Sequence, residues 1–295
     1  MEKKGVKKLA FKIVEPLIWL ANNRNDLDYH VLGMDYLILI LEYPINAIVF
    51  LELLIEISIM ITKETTVKAS VELNNINEGI LYRYGVYTKP ELSIEKVSAD
   101  LMINPDFLVD VLNCYGETAV FELEKFQKYS VPVLIEYLQK SHTFYRFKKL
   151  LEIEQSVFNL MIGGTSSKQT LSVIAVFFTE YKKELLNHFD LEEKTLFPYG
   201  KALYKADNSF GDYVNAVVLS QEHSIKKFAD HHHDSHCELE RVRESLRLFN
   251  PSKSDESLLR VLLDQFKSFE KDLYLHALIE DKVLVPKLLK LEKNL

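Results

Sequence analysis

The order of apolar and polar positions after residue 130 predicts four long helices separated by short polar connections. The predicted helices span about residues 132–161, 167–204, 212–249 and 254–290. A helix of about thirty residues is roughly 45 Å long, and short connections make consecutive helices antiparallel neighbours. The sequence therefore predicts an all-α protein in which residues 131–295 form an up-down-up-down four-helix bundle.

The first 130 residues contain shorter patterns and divide into three predicted parts. Residues 1–62 form a helical lead segment, in which 47–60 is apolar on nearly every side and is expected to pack into the body of the protein or into another subunit. Residues 63–115 form a small domain of short helices, and 116–130 are a polar connector. The apolar stretch 31–62 carries four acids and a proline, which argues against a membrane-spanning helix.

Composition narrows the class of protein. Only nine Gly and eight Pro occur among 295 residues, which favours helices over strands and turns. Two cysteines provide no disulfide framework, and we therefore expect a reducing, cytoplasmic location. The net charge of −7 argues against nucleic-acid binding.

The small domain has helix spacing that resembles a helix-turn-helix. Asn104 followed by Pro105 predicts the start of one of its helices, with Asn as the N-cap and Pro in the first turn. Five basic residues face eight acids in this domain, however, whereas a DNA-binding surface is basic. A protein-docking domain is therefore the preferred interpretation.

An eleven-residue phrase occurs twice, on the second and fourth predicted helices, with an offset of 88 residues. Each copy begins with His, has Glu four residues later and ends with Pro. Residues four apart lie on one face of a helix, so His188 points the same way as Glu192, and His276 the same way as Glu280. The closing prolines should kink or end their helices just beyond this level. The two copies are residues 188–198 and 276–286.

Two carboxylates in the core of a bundle require a compensating positive charge, which a pair of metal ions would supply. Imidazole and carboxylate donors together favour iron or manganese. The first helix offers its single His, His142, and the third offers His223. The resulting set of four His and two Glu leaves positions for an oxo or hydroxo bridge and a small diatomic ligand. Asp281 is an alternative ligand to Glu280. The predicted metal ligands are His142, His188, Glu192, His223, His276 and Glu280.

Several neighbouring residues are candidates for supporting roles. Metal-ligating His usually donates its other nitrogen to a carboxylate or carbonyl, so the acids one turn before His188 and His276, together with the acid before His223, are candidates to orient them. Glu193 and Asp281 are expected at the solvated outer face, paired with the lysines that follow them. The histidine-rich run 231–236 is not expected to form a site, because consecutive helical residues splay by about 100°. The supporting candidates are Glu184, Asp272, Glu222 and Tyr145.

The two His-x3-Glu-x5-Pro phrases, with single His residues on the alternate helices, resemble the hemerythrin-like HHE cation-binding domain. The closer resemblance is to its branch of iron–sulfur cluster repair di-iron (RIC) proteins, and it covers about residues 130–290. It implies that the six predicted ligands hold two non-haem iron ions. Residues 63–115 resemble, more weakly, the small domain that precedes the bundle in that family, although 84–90 lacks its Cys-Cys pair.

The resemblance implies a protein that binds NO or O2 or handles iron, in iron–sulfur cluster repair under nitrosative or oxidative stress, with iron–sulfur proteins as partners. A second hypothesis is a sensing module. The same iron pair would report O2, NO or iron, and the N-terminal half would relay the signal to a protein partner or through a change in a homo-oligomer. A third hypothesis is a helical scaffold without metal.

Overall fold

The computed structural model describes residues 60–115, 121–163, 168–206, 210–231 and 255–295. Within these ranges the regular elements are helices, accompanied by one isolated β-bridge between Thr66 and Ser93. The predicted all-α architecture is confirmed. Among the described helices, none has the length and apolar character to cross a membrane. The lead segment up to residue 59 and the histidine-rich run after 231 lie outside the described residues.

The short helices form because polar side chains cap their first turns. Thr66, Ser93 and Asn104 each accept a hydrogen bond from a backbone N–H three residues later. The predicted helix start at Asn104 and Pro105 is confirmed. Gly85 follows the second helix with a φ of +70°, in the left-handed region that favours glycine. These helices are α1 Val67–Leu73, α2 Asn77–Arg83, α3 Ile94–Asp100, α4 Pro105–Asn113 and α5 Leu123–Gln127.

Three of the four predicted long helices contain a five-residue π-helical turn. The first consists of α6 Val131–Phe144, a π turn at Tyr145–Lys149, and α7 Leu150–Gly163. The second consists of α8 Lys168–Leu191, a π turn at Glu192–Leu196, and α9 Phe197–Lys205. The fourth consists of α12 Glu256–Ile279, a π turn at Glu280–Leu284, and α13 Val285–Glu292.

The third long helix differs from its prediction. A continuous helix over 212–249 was expected, but α10 Phe210–Glu222 ends at a break that contains His223 and Ser224, and α11 Ile225–His231 follows. The carboxylate of Glu292 in α13 stabilises this break, because its Oε1 accepts hydrogen bonds from the backbone N–H of Ile225 at 3.0 Å and from the Tyr199 hydroxyl at 3.1 Å. The contact is tertiary, so the local sequence does not reveal it.

The short helices and the adjoining end of the bundle share one hydrophobic core, in which Leu81 and Phe107 are buried together with Leu134 and Leu284. A second core fills the other end of the bundle between α7, α8 and α12. Residues 61–295 make one compact unit. The predicted modules 63–115 and 131–295 are therefore packed together through common apolar contacts.

Candidate metal centre

The repeated phrase places each of its glutamates at the first position of a π turn. Glu192 opens the turn after α8, and Glu280 opens the turn after α12. A π turn adds a residue to the helical circuit, and such turns occur frequently at functional sites. In both copies His lies in the last turn of the α-helix, so imidazole and carboxylate project from adjacent turns of one helix.

The prolines that close the phrase were predicted to kink or end their helices, and the helices do not end there. Pro198 and Pro286 lie in the first turns of α9 and α13, which continue to Lys205 and Glu292. The preceding residues bond in the π pattern, since the Phe197 N–H donates to the Glu192 carbonyl five residues earlier. Each proline therefore lies at the start of the segment that follows a π turn, a position at which its missing N–H is tolerated.

Five of the six predicted ligands lie together in the structure. Glu192 is central, with its Oε2 3.0 Å from His142 Nε2 and its Oε1 2.6 Å from His188 Nε2. The Nε2 atoms of His142 and His276 are 3.2 Å apart, and His276 Nε2 is 3.5 Å from Glu280 Oε2. One donor atom each from His142, Glu192 and His276 lie within 4.8 Å of one another. These side chains come from three different long helices.

Burial makes this cluster electrostatically unfavourable without a cation. Glu192 and Glu280 are 0% and 1% exposed. Burial, followed by the negative charge of Glu192, raises the pKa of Glu280 well above its ordinary value. Burial, followed by the charge of His142, lowers the pKa of His276 well below its ordinary value. Burial thus disfavours the ionised form of Glu280 and the protonated form of His276. A positive ion among these side chains would stabilise ionised carboxylates beside neutral imidazoles.

The donor set fits hard or borderline metal ions. Three imidazoles and two carboxylates offer nitrogen and oxygen donors, the combination that suits iron or manganese. The cluster contains no thiolate, which softer ions prefer. Glu192 presents one carboxylate oxygen to His142 and the other to His188, so both of its oxygens would be available to hold metal.

His223 lies apart from the other five predicted ligands. It occupies the break between α10 and α11, where it is half-buried and its ring centroid is 6.2 Å from that of Tyr199. His188 and His223 both line one cavity of about 270 Å³. Most of the surface that lines this cavity is apolar, and Leu191, Leu196 and Phe228 contribute to it. The cavity therefore adjoins the His188 edge of the His/Glu cluster.

Glu193 contacts the cluster, which corrects the prediction that it lies at the solvated outer face. Its Oε1 is 3.0 Å from His142 Nδ1, and its Oε2 accepts a 2.6 Å hydrogen bond from Gln139. Burial alone would raise the pKa of Glu193, but its hydrogen bonds to His142 and Gln139 lower it. A carboxylate on the outer nitrogen of a ligating His fixes the ring and its tautomer. The two adjacent acids therefore differ in position: Glu192 lies within the cluster, and Glu193 contacts the outer nitrogen of His142.

The remaining supporting candidates are placed differently from one another. Glu184 and Glu222 are exposed. Tyr145 is fully buried and opens the first π turn, with its ring 5.8 Å from the His276 ring in an edge-on arrangement. Asp272 is buried one turn before His276 and forms an ion pair with Arg83. Asp281 is half-buried, whereas Glu280 faces His276, so the geometry favours Glu280 as the donor.

Comparison with known proteins gives a family match over the region that contains this cluster except for His142. Residues 146–288 match the family model described as the Hemerythrin HHE cation binding domain. The match contains both copies of the repeated phrase and begins four residues after His142. No curated protein matches the chain. The chain therefore has a C-terminal hemerythrin domain, for which cation binding is the characteristic property.

Proposed function

We propose that this hemerythrin domain binds two non-haem iron ions and uses them to bind NO or O2 or to handle iron in iron–sulfur cluster repair under nitrosative or oxidative stress. The observation that carries the proposal is the buried cluster of imidazoles and carboxylates from three helices, of which all but His142 lie within the region that matches a cation-binding family. The proposed ligands are His142, His188, Glu192, His276 and Glu280, with His223 as the sixth.

Bound iron would supply positive charge, a redox-active centre and open coordination positions for a small ligand. The protein would supply the geometry. Glu192 would connect the halves of the site, Glu193 would orient His142, and the rings of Phe189 and Phe197 cover His142 with centroid distances of 4.2 and 5.5 Å. This apolar cover keeps water from the imidazole and strengthens electrostatic interactions within the site.

The cavity beside His188 supports a small, uncharged ligand. Its lining is largely apolar, and the His188 side chain is 22% exposed, unlike the other clustered donors. A diatomic molecule needs no charged partner to occupy a space whose surface is mostly apolar. NO and O2 are the proposed ligands on this ground, and damaged iron–sulfur proteins are the proposed partners.

Metal analysis of a double substitution tests the proposal. Replacing Glu192 and Glu280 by Gln keeps the shape but removes both carboxylates, and we expect iron content to fall from about two ions per chain to a small fraction of that. The matched control is Glu180→Gln with Asp264→Asn, two exposed acids on α8 and α12, which should retain full iron content. Equal iron in the double variant and the control would overturn the proposed site.

A sensing role is the second candidate, and one observation favours it. The short helices share a core with the bundle, and Arg83 of α2 pairs with Asp272, one turn from His276. A change at the metal could therefore reach residues 61–115 and alter an oligomer or a partner surface. Adding NO to the iron-loaded protein should then change its protease sensitivity or oligomeric state. Repair of a damaged cluster without any such change would favour the first candidate.

A further inference from the structure

Arg83 carries a permanent charge into the interior of the molecule. It is the last residue of α2, and its side chain has no exposed surface. Its Nη2 is ion-paired with the Asp272 carboxylate, and its Nη1 donates a 2.8 Å hydrogen bond to the Ser141 hydroxyl. The guanidinium also lies over the rings of Phe144 and Tyr145, 4.9 and 5.0 Å from their centroids. Arg83 thus connects the short helices with α6 and α12.

The counter-ion of Arg83 is held from a second direction. The other carboxylate oxygen of Asp272 accepts a 2.7 Å hydrogen bond from the Tyr115 hydroxyl. The Tyr115 backbone carbonyl in turn accepts a 2.6 Å hydrogen bond from Lys271 Nζ. Asp272 is therefore held by the residues at both ends of the segment 83–115, which are Arg83 and Tyr115. A buried carboxylate held by a charged and a neutral donor has little freedom to rotate.

Three of the residues that Arg83 contacts adjoin a proposed metal ligand. Ser141 directly precedes His142 in α6. Asp272 lies four residues before His276, on the same face of α12. Tyr145 packs its ring against that of His276. Arg83 contacts these three positions at once, so it fixes the spacing between the two helices at the level of the imidazoles.

His276 has no partner on its outer nitrogen. Its Nδ1 is buried and has no hydrogen-bond partner among the described residues. His142, in contrast, has the Glu193 carboxylate on the corresponding nitrogen. Apart from its Nε2 contacts within the cluster, His276 is oriented by the packing of its ring and by the position of α12. Arg83 contacts both Tyr145 and α12.

We propose that Arg83, with Asp272 as its counter-ion, is a positioning residue that sets the relative placement of His142 and His276 for metal binding. The inference rests on the proposed function, since it presumes that these imidazoles bind metal. It extends the site to the short helices, which otherwise contribute no donor to the cluster. A buried ion pair with a purely structural role would affect unfolding but not the metal affinity of the folded protein.

The test is a titration of the full-length, metal-free protein with Co²⁺, followed by its visible absorption, at a temperature where every variant is folded. In Arg83→Met we expect Co²⁺ affinity to fall about 10- to 100-fold, the usual effect of losing a partner that orients a ligand, together with an altered spectrum. Arg83→Lys retains the charge, but a single ammonium group cannot contact Asp272 and Ser141 with two separate nitrogens as the guanidinium does. We therefore expect a loss of Co²⁺ affinity smaller than that in Arg83→Met. The control Lys89→Met removes an exposed lysine that pairs with Asp100 and should leave the titration unchanged.

Two results separate the failure of this inference from that of the proposed function. Wild-type protein that takes up no Co²⁺ would refute the metal site itself. Wild-type protein that binds Co²⁺, with Arg83→Met binding within twofold of it and giving the same spectrum, would refute the positioning role alone. If Arg83→Met does not fold, Arg83→Lys decides the outcome by the same criterion.

Discussion

Replacing Glu280 by Gln should stabilise the metal-free protein and weaken the metal-loaded one. Glu280 is buried beside a second carboxylate, and burial followed by the Glu192 charge raises its pKa well above the ordinary value of 4.5. In the metal-free protein at neutral pH, folding must either add a proton to Glu280 or retain a disfavoured charge. A neutral amide of the same shape avoids both costs.

The expected gain is about 1–2 kcal/mol, the usual scale for removing an imperfectly compensated buried polar group. For a unit of the size of residues 61–295, each kcal/mol changes the Tm by about 2–4 °C, so metal-free Glu280→Gln should melt about 2–8 °C above wild type. Metal at a hundredfold excess over its Kd adds about 2.7 kcal/mol to the protein that binds it. Wild type should therefore gain more from metal than the variant, and the order of the two Tm values should reverse.

The same substitution should change the pH dependence of stability. Glu280 has a folded-state pKa above its unfolded one, so its contribution to stability is fully present below about pH 4.5 and is lost as pH rises toward the folded pKa. The free energy of unfolding of metal-free wild type should thus fall, relative to Glu280→Gln, as pH rises above 4.5.

Calorimetry with and without metal, between pH 4.5 and 8, measures both effects, with Glu180→Gln as the exposed control. Metal-free Glu280→Gln that melts below wild type, or a difference that is constant with pH, would refute this account of the buried acids.

Two further predictions concern residues around the site. Glu193→Gln should lower iron affinity about 10-fold or more, because the amide no longer provides the anionic partner of His142 Nδ1. Competitive titration with a chelator measures this affinity. An affinity equal to that of wild type would mean that Glu193 does not orient the imidazole. Gly200→Ala should destabilise the protein by about 1–3 kcal/mol, because the new Cβ would lie 2.9 Å from Leu288 Cδ1 where α9 meets α13. Urea unfolding measures this loss. In the Leu288→Ala background, where the contact is absent, Gly200→Ala should cost less. No loss in Gly200→Ala would show that the Leu288 side chain moves aside to make room for the new methyl group.

The long helices and the two His/Glu pairs of the cluster were predictable because both depend on local periodicity. Apolar spacing placed three of the four long helices within about two residues of their observed outer bounds. The four-residue spacing of His and Glu predicted that each pair lies on one face of its helix. This prediction does not depend on the π turn that follows. Side-chain caps such as Asn104 act within one turn and are likewise visible in the sequence.

Features that depend on distant contacts were not predictable. The break at His223 contains neither Gly nor Pro and is held by Glu292, about seventy residues later. The π turns alter the helical circuit by one residue, which apolar spacing does not register, and they changed the expected effect of Pro198 and Pro286. The pairing of Arg83 with Asp272 spans 189 residues. Such pairings follow from the fold and not from any local pattern.

The central claim is that the buried cluster around Glu192 holds a pair of iron ions, and metal stoichiometry tests it most directly. Wild-type protein expressed with ample iron, or reconstituted anaerobically with Fe²⁺, should contain about two irons per chain by elemental analysis after removal of loosely bound metal. Iron content near zero under both conditions would contradict the claim.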